Sequence, residues 1–287
     1  MPIARSNLPW AFLLAASLLS FGTAARGQSA TPASSANAGS SVPEDASEVA
    51  KKLQNPIGDL INVPFQSNTN FNTGPHKGTQ EILNIEPVIP IHINQDWNLI
   101  TRTILPVIWQ PSFQPAQTVP FGIGPITFST FLAPSKLVDG WLWGVGPVVQ
   151  VPVASNSSLG SNVWGAGATG VVVFMKGPWV GGVLTNNVWS VGGTTGRGGT
   201  RYNNFLLQPF LTYNFAGGWF VGSSPIATAN WLASGDKAWT LPVGAQFGRV
   251  IRIGGRPVNL LLGAYYNVLR PQFGPTWQIR SQIAFVF

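Results

Sequence analysis

From residue 63 to residue 287, apolar side chains recur at every second position, and polar or small side chains lie between them. In the segment 97–109 the odd positions are mainly apolar and begin and end with tryptophan, whereas the even positions include Asn98 and Arg102. The segments 219–231, 239–247 and 258–268 repeat the pattern. A period of two is typical of β-strands that present one apolar face and one polar face.

Counting such segments predicts an antiparallel, all-β fold of about twelve strands. Short connections, as at 94–96 and 176–178, alternate with longer loops rich in Gly, Ser, Thr and Pro, as at 111–123 and 192–202. An even number of strands with alternating turn lengths is typical of membrane β-barrels. With an even number, the first and the last residue of the barrel lie on the same side of the membrane. The predicted strands are 63–73, 80–93, 97–110, 124–133, 141–153, 162–175, 179–191, 203–214, 219–231, 238–249, 257–269 and 276–287.

Tryptophan spacing and charge content distinguish a transmembrane barrel from a soluble sandwich. Trp97 and Trp109 lie twelve residues apart on the apolar face, as do Trp219 and Trp231. At ~3.3 Å per residue and a tilt near ~40°, each pair spans roughly 30 Å of membrane normal, the separation of two interfacial aromatic girdles. Only 9% of the residues are charged, against about 25% in soluble domains. The sequence therefore predicts a transmembrane antiparallel β-barrel over residues 62–287.

The segment before the barrel predicts export and a short helix. Residues 1–27 contain an early arginine, a short apolar core and small residues near the end, as in a signal peptide. Residues 28–61 combine a Ser/Ala/Gly-rich flexible linker with a short helix, since acidic side chains precede Lys51 and Lys52 and Pro56 limits the helix. We expect this helix to dock in or under the barrel as a plug.

Prolines and glycines within the predicted strands need separate explanations. Proline removes a ladder hydrogen bond, so strand prolines predict bulges or bends; these are Pro87, Pro106, Pro147, Pro209, Pro225 and Pro242. Small inward residues are expected to widen a narrow lumen; these are Gly144, Gly146, Gly165, Gly167, Gly222, Gly244, Gly248 and Gly263.

The composition argues against enzymatic and cofactor chemistry. The chain has no cysteine and only two histidines, which excludes thiol chemistry and disfavours a metal centre. The formal charge of +7 comes without basic tracts, so no nucleic-acid partner is expected. A G-x-G-x-x-G match at 165–170 continues as a strand and lacks a nearby acid, so no nucleotide cofactor is predicted. His92 lies on the inward parity of the second strand without an identifiable serine partner, and we predict no catalytic residues.

The inward-facing charged and amide residues form the candidate lumen site. Closure of a twelve-stranded barrel places the first three strands and the last one side by side. The candidates are Glu86, His92, Arg102, Gln278, Arg280 and Gln282. Two interpretations remain open: a structural ion-pair cluster, or a filter that selects solutes. From residue 100 onward eleven Lys and Arg stand against two Asp, so the pore or its mouths are expected to favour anions.

Two resemblances extend this picture. The final strand, which ends at Phe287, is similar to the closing-strand signal of bacterial outer-membrane proteins, which implies recognition by the barrel assembly machinery. Residues 48–287 resemble a family of outer-membrane proteins linked by name to the meta-pathway of phenol degradation, often labelled transporters and sometimes mislabelled neuromedin U. The resemblance is carried by LQNPIGDLI at 53–61, VPFQ at 63–66, NTNF at 68–71 and DWNLITR at 96–102. It implies a barrel in the bacterial outer membrane, in contact with its lipid, that takes up aromatic or other small organic solutes.

We therefore expect a passive outer-membrane channel for small solutes, aromatic or anionic among them. Two alternatives are a barrel-type lipid hydrolase that uses His92 and a structural or adhesive barrel without a pore.

Overall fold

The computed structural model describes residues 46–113, 120–193 and 199–287. The predicted signal peptide and most of the predicted linker, residues 1–45, lie outside the described residues. Twelve barrel strands follow one short helix, and three of the strands, β2, β4 and β9, are interrupted. The strands are β1 (Asn62–Thr73), β2 (Gly78–Ile85 and Val88–His92), β3 (Trp97–Trp109), β4 (Phe121–Ile123 and Ile126–Pro134), β5 (Trp141–Val151), β6 (Trp164–Lys176), β7 (Trp179–Gly192), β8 (Asn203–Asn214), β9 (Trp219–Ser223 and Ala227–Asn230), β10 (Trp239–Ile253), β11 (Arg256–Leu269) and β12 (Trp277–Val286).

Every strand pairs with its neighbours in sequence, and β12 pairs with β1 to close the sheet. The closing ladder is antiparallel and runs from Asn62↔Val286 to Phe71↔Trp277. Closure confirms the predicted twelve-stranded antiparallel barrel. We call the end that carries Asn62 and Val286 the terminal end, and the opposite end the loop end. The longer connections, among them 110–120 and 152–163, lie at the loop end, where the odd-numbered strands end.

The outer wall carries an apolar surface with aromatic residues at both ends. Pairs of rings pack at the terminal end, where the Trp97 and Trp143 centroids are 5.8 Å apart. At the loop end the Trp109 and Phe121 centroids are 4.8 Å apart, and those of Trp231 and Trp239 are 5.5 Å apart. Two aromatic girdles that flank an apolar band are the signature of a transmembrane barrel. The exposure of Trp109, Trp219 and Trp231, at 41%, 46% and 46%, confirms their predicted outward parity, and Trp97 packs on the outer wall against the exposed Trp143.

The six strand prolines lie at irregularities of the ladder or opposite them. Pro87 and Pro225 fall in the interruptions of β2 and β9, and Pro242 follows a register shift between β10 and β11. The other three lie opposite irregular stretches of a neighbouring strand: Pro106 opposite the break in β4, Pro209 opposite the break in β9, and Pro147 where the ladder to β4 skips two pairs. A residue without an N–H is tolerated there because the ladder is already broken.

Helix α1 (Ala46–Leu53) packs against the terminal end of the barrel. Glu48 lies in its first turn and Lys51 in its last, and their side chains form an ion pair of 2.5 Å. Val49 and Ala50 are buried against Val250 of β10. Residues 54–61 continue as turns and bends, and the helix ends three residues before Pro56, the residue that was predicted to limit it. None of the described helices is both long and apolar enough to cross a membrane.

The barrel interior is more tightly filled than the sequence predicts. Toward the terminal end, the inward faces of β2–β7 form an apolar cluster that contains Ile100, Phe131, Leu142 and Val173. The prediction that the inward face carries polar and small residues is therefore wrong for part of the barrel. The inward face is divided into an apolar part and a polar part.

The inward glycines also contradict the prediction that they widen the lumen. A Cβ on Gly165 would lie 2.3 Å from the Tyr202 hydroxyl, and one on Gly248 would lie 2.3 Å from the Phe220 ring. At Gly146, Gly167 and Gly244 the nearest atom to such a Cβ is a backbone oxygen of the adjacent strand, at 2.0, 1.8 and 2.0 Å. These glycines permit close packing inside the barrel instead of enlarging the passage.

Candidate functional site in the lumen

A cavity of about 160 Å³ lies inside the barrel, between the segment that follows helix α1 and the inward side chains of the wall. Leu53, Gln54, Asn55 and Pro56 line it on the side of the helix. The wall contributes both charged and apolar groups, among them Glu86, Arg102, Leu184, Phe210, Arg280 and Gln282. The cavity therefore brings four of the six predicted site residues to one place, although β2, β3 and β12 supply them from distant parts of the sequence.

Arg280 is the most buried charged side chain of this wall, at 3% exposure. Its Nη1 donates to the Ser224 carbonyl at 2.8 Å, and its Nε and Nη2 donate to the side chains of Asn68 and Gln278, each at 3.2 Å. The guanidinium carbon also lies 4.7 Å from the centre of the Tyr265 ring. Cation–π contact and three neutral hydrogen-bond acceptors thus hold a charge that has no carboxylate partner among the described residues.

Glu86 and Arg102 form the ion pair that their inward parity predicts. Arg102 Nη2 lies 2.6 Å from Glu86 Oε2, and the side chains are 19% and 8% exposed. Glu86 lies in the interruption of β2, and its backbone N–H donates to the Pro64 carbonyl of β1. Each member of the pair neutralises the other, because an unpaired charge in a confined space would be unfavourable.

A chain of amide side chains runs from Arg280 toward the loop end. Gln278 accepts from Arg280 and donates to Asn70, Asn70 donates to Gln80, and Gln80 donates to Gln110. Gln278 therefore positions Arg280 but does not line the cavity, whereas Gln282 does. This network gives the lumen a polar wall along β12, β1, β2 and β3.

His92 is not part of this group. It lies at the terminal end of β2, is exposed, and its Nδ1 is 2.8 Å from the Asn98 side-chain oxygen. No serine hydroxyl of the described residues hydrogen-bonds to this ring. A nucleophilic triad needs such a hydroxyl, so the position of His92 gives the hydrolase alternative no support. Nor does any cluster of three or more metal-binding side chains occur in the described ranges.

Two residues of this site, one beside Arg280 and one that lines the cavity, were not predicted from the sequence. Tyr265 is fully buried, and its hydroxyl donates to Gln246 Oε1 at 2.8 Å. Asn259 lines the cavity, and its Oδ1 is buried without a hydrogen-bond partner. Both have inward parity, which was a detectable signal, but parity alone does not indicate which inward residues lie near one another across the lumen.

The segment after helix α1 closes the cavity at the terminal end. Gln54 hydrogen-bonds to Asn214 at the end of β8, and Asn55 Oδ1 accepts from the Ile57 backbone N–H at 3.1 Å. Ile57 then inserts into the apolar cluster of the wall and is 3% exposed. Ile57 and Gln54 thus hold the segment against the inward side of the wall.

Neither a protein-family model nor a curated protein sequence matches the chain. Among solved structures, it is similar to an outer membrane channel from Pseudomonas putida F1, with a TM-score of 0.54, 14% identity, and coverage of 79% of this chain and 94% of that chain. The outer membrane phospholipase of Salmonella typhi has a TM-score of 0.43 and 13% identity, covering 83% and 97%. The P. putida toluene transporter TodX has a TM-score of 0.35 and 10% identity, covering 85% and 91%. The likeness to the P. putida F1 channel supports the fold, a transmembrane barrel.

Proposed function

We propose that this protein is a passive channel for small solutes in the bacterial outer membrane, and that residues 53–57 act as its plug. One observation carries the proposal: residues 53–56 line a polar, charged cavity, and Gln54 and Ile57 anchor this segment to the barrel wall. A selective passage needs charged and hydrogen-bonding groups on its wall. The ion pair, Arg280 and the amide chain supply these groups.

A purely structural barrel explains the interior less well. Such a barrel needs only a packed interior, and an apolar filling would avoid the cost of burying Arg280 and Asn259. The apolar cluster fills part of the interior, but the β12–β3 wall retains buried polar side chains and an open cavity. The buried polar side chains and the cavity therefore favour a channel that solutes pass through over a barrel with a purely structural role.

The finer features of the proposal come from the sequence. The aromatic cargo and the link to phenol degradation rest on the resemblance of residues 53–61, 63–66, 68–71 and 96–102. Assembly through the closing strand rests on the terminal aromatic residue. Phe287 is 63% exposed, with Arg256 stacked 5.6 Å from its ring centre, which leaves the ring accessible to an assembly factor.

Planar-bilayer recording with the full chain and with a chain that lacks residues 28–61 tests the proposal. The full chain should show small, intermittent currents, and the shortened chain should conduct more because the plug is gone. Equal conductance of the two chains would refute the plug. Absence of any current or solute flux from both, with the barrel correctly folded by circular dichroism, would refute the channel.

A further inference from the structure

We propose that the lumenal cavity is a binding site for a small organic monoanion that has an apolar body and a carboxylate-like head. The head binds at Arg280, and the body lies against Leu184, Phe210 and Phe220. The inference rests on the proposed channel function and narrows its substrate class. Charge, shape and an unsatisfied polar atom support it independently.

The charges that face the cavity sum to one positive charge. Glu86 and Arg102 neutralise each other at 2.6 Å. Arg280 remains, and its three recorded hydrogen-bond partners are all neutral oxygen atoms. A guanidinium has five N–H groups, so two of them are left for an incoming oxygen. A buried cation without a carboxylate partner attracts an anion more strongly than any exposed arginine can.

The opposite side of the cavity is apolar. Leu184 and Phe220 are 3% and 2% exposed, and Phe210 packs against the same apolar cluster as Leu184. A volume of about 160 Å³ is close to the ~150 Å³ cavity that accepts benzene in another protein. Inorganic ions are strongly hydrated and leave this apolar wall unused, whereas a molecule the size of one substituted ring contacts both walls.

Asn259 adds the requirement that the ligand carry a hydrogen-bond donor. Its Oδ1 is a buried acceptor without a partner, in a side chain that is 5% exposed and lines the cavity. Leaving such an atom unpaired is costly, and a bound hydroxyl or N–H group would satisfy it. The preferred ligand is therefore a carboxylate that also carries a hydrogen-bond donor.

Calorimetric titration of the detergent-solubilised full-length protein tests the proposal with three probes. Benzoate has the head and the body, benzamide has the body without the charge, and acetate has the head without the body. We expect benzoate to bind at least about tenfold more tightly than benzamide, because only benzoate brings a charged head to Arg280. It should also bind at least about tenfold more tightly than acetate, because only benzoate has a body that covers the apolar wall. Equal binding of benzoate and benzamide, or no benzoate binding, would overturn the proposal without the need for any variant.

Variants assign the effect to the two residues. Arg280→Gln should abolish the preference for benzoate over benzamide, and Arg280→Lys should retain part of it. Arg256→Gln, a matched change at the exposed first residue of β11, should leave the preference intact. At least one hydroxybenzoate isomer should bind about fivefold more tightly than benzoate, and Asn259→Leu should remove this gain. If no isomer gains affinity, the role of Asn259 is refuted.

Chloride conductance of the same preparation in a planar bilayer separates this proposal from the channel function. A conducting protein that shows no benzoate preference refutes the binding site and leaves the channel standing. A protein that binds benzoate but never conducts leaves the site standing and refutes the channel.

Discussion

The side-chain amides of Gln54 and Asn214 hydrogen-bond to each other in both directions. Gln54 Nε2 donates to Asn214 Oδ1 at 2.8 Å, and Asn214 Nδ2 donates to Gln54 Oε1 at 3.1 Å. Asn214 Nδ2 also donates to the Pro178 carbonyl at 3.0 Å, which fixes the asparagine on the wall. This reciprocal pair fastens the segment after helix α1, the proposed plug, to the end of β8.

Removing either amide of this pair should raise the fraction of time for which the channel is open. Two hydrogen bonds at about 0.5–1.5 kcal/mol each predict roughly a tenfold increase for Gln54→Ala. Single-channel recording measures it, with Gln95→Ala at an exposed turn as the control. In a double-mutant cycle with Asn214→Ala the two effects should be strongly non-additive; simple addition would show that the amides act separately.

Gly165 should tolerate no larger residue unless Tyr202 changes as well. A Cβ there would lie 2.3 Å from the Tyr202 hydroxyl and 2.7 Å from a Val188 methyl group, and overpacking costs about 1–3 kcal/mol. Gly165→Ala should therefore lower the urea midpoint of unfolding in detergent, and adding Tyr202→Phe should restore part of it. Gly170→Ala lies in the same strand with its nearest neighbouring atom at 3.8 Å, so it should be almost neutral.

Replacing one member of the Glu86–Arg102 pair should lower the stability of the barrel more than replacing both members. Glu86→Gln leaves Arg102 without its partner in a confined space, and loss of one member of a buried pair costs about 3–5 kcal/mol. Because Arg102 is 19% exposed, we expect the lower limit of that range. The double variant Glu86→Gln, Arg102→Gln should unfold at a higher urea concentration than either single variant. A double variant weaker than both would show that the pair stabilises the barrel beyond mutual neutralisation.

Glu81 faces the outer wall, in register with Thr69 of β1 and Trp109 of β3. The Ser67 hydroxyl donates to Glu81 Oε1, and the Thr69 hydroxyl donates to Oε2 at 2.6 Å. A charge on the lipid-facing wall is unfavourable, whereas a neutral amide can keep hydrogen bonds to both hydroxyls. Glu81→Gln should therefore raise the free energy of unfolding in lipid vesicles, by less than about 1 kcal/mol because Glu81 is level with Trp109 of the loop-end girdle, where a charge costs little. Glu48→Gln, on exposed helix α1, should not raise it.

The strand pattern was predictable because the period of two depends only on neighbouring residues. Predicted and observed bounds of β8 are identical, and those of β6 and β7 differ by no more than two residues. β10 runs to Ile253, four residues beyond its predicted end at 249, because its ladder to β11 continues to Arg256.

Side-chain contacts inside the barrel were not predictable in this way. Parity placed Arg102 and Arg280 on the inner face, but no local pattern indicates that Tyr265 of the adjacent strand covers Arg280 or that Ile57 joins the cluster of Phe131 and Leu142. These contacts depend on the strand register and on the direction in which each inward side chain leans. The same limitation explains the error about glycine, since the ring that fills the space at Gly248 belongs to Phe220, its partner on the adjacent strand.

The insertion of Ile57 into the apolar cluster has a consequence for heat and cold. Withdrawal of the segment would hydrate apolar surface that is now buried, and such hydration raises the heat capacity. Opening would therefore carry a positive heat-capacity change, and the hydrophobic contribution that keeps the barrel shut would weaken on cooling. In an organism exposed to low temperatures, burial of this single isoleucine would make the permeability of the outer membrane depend on temperature.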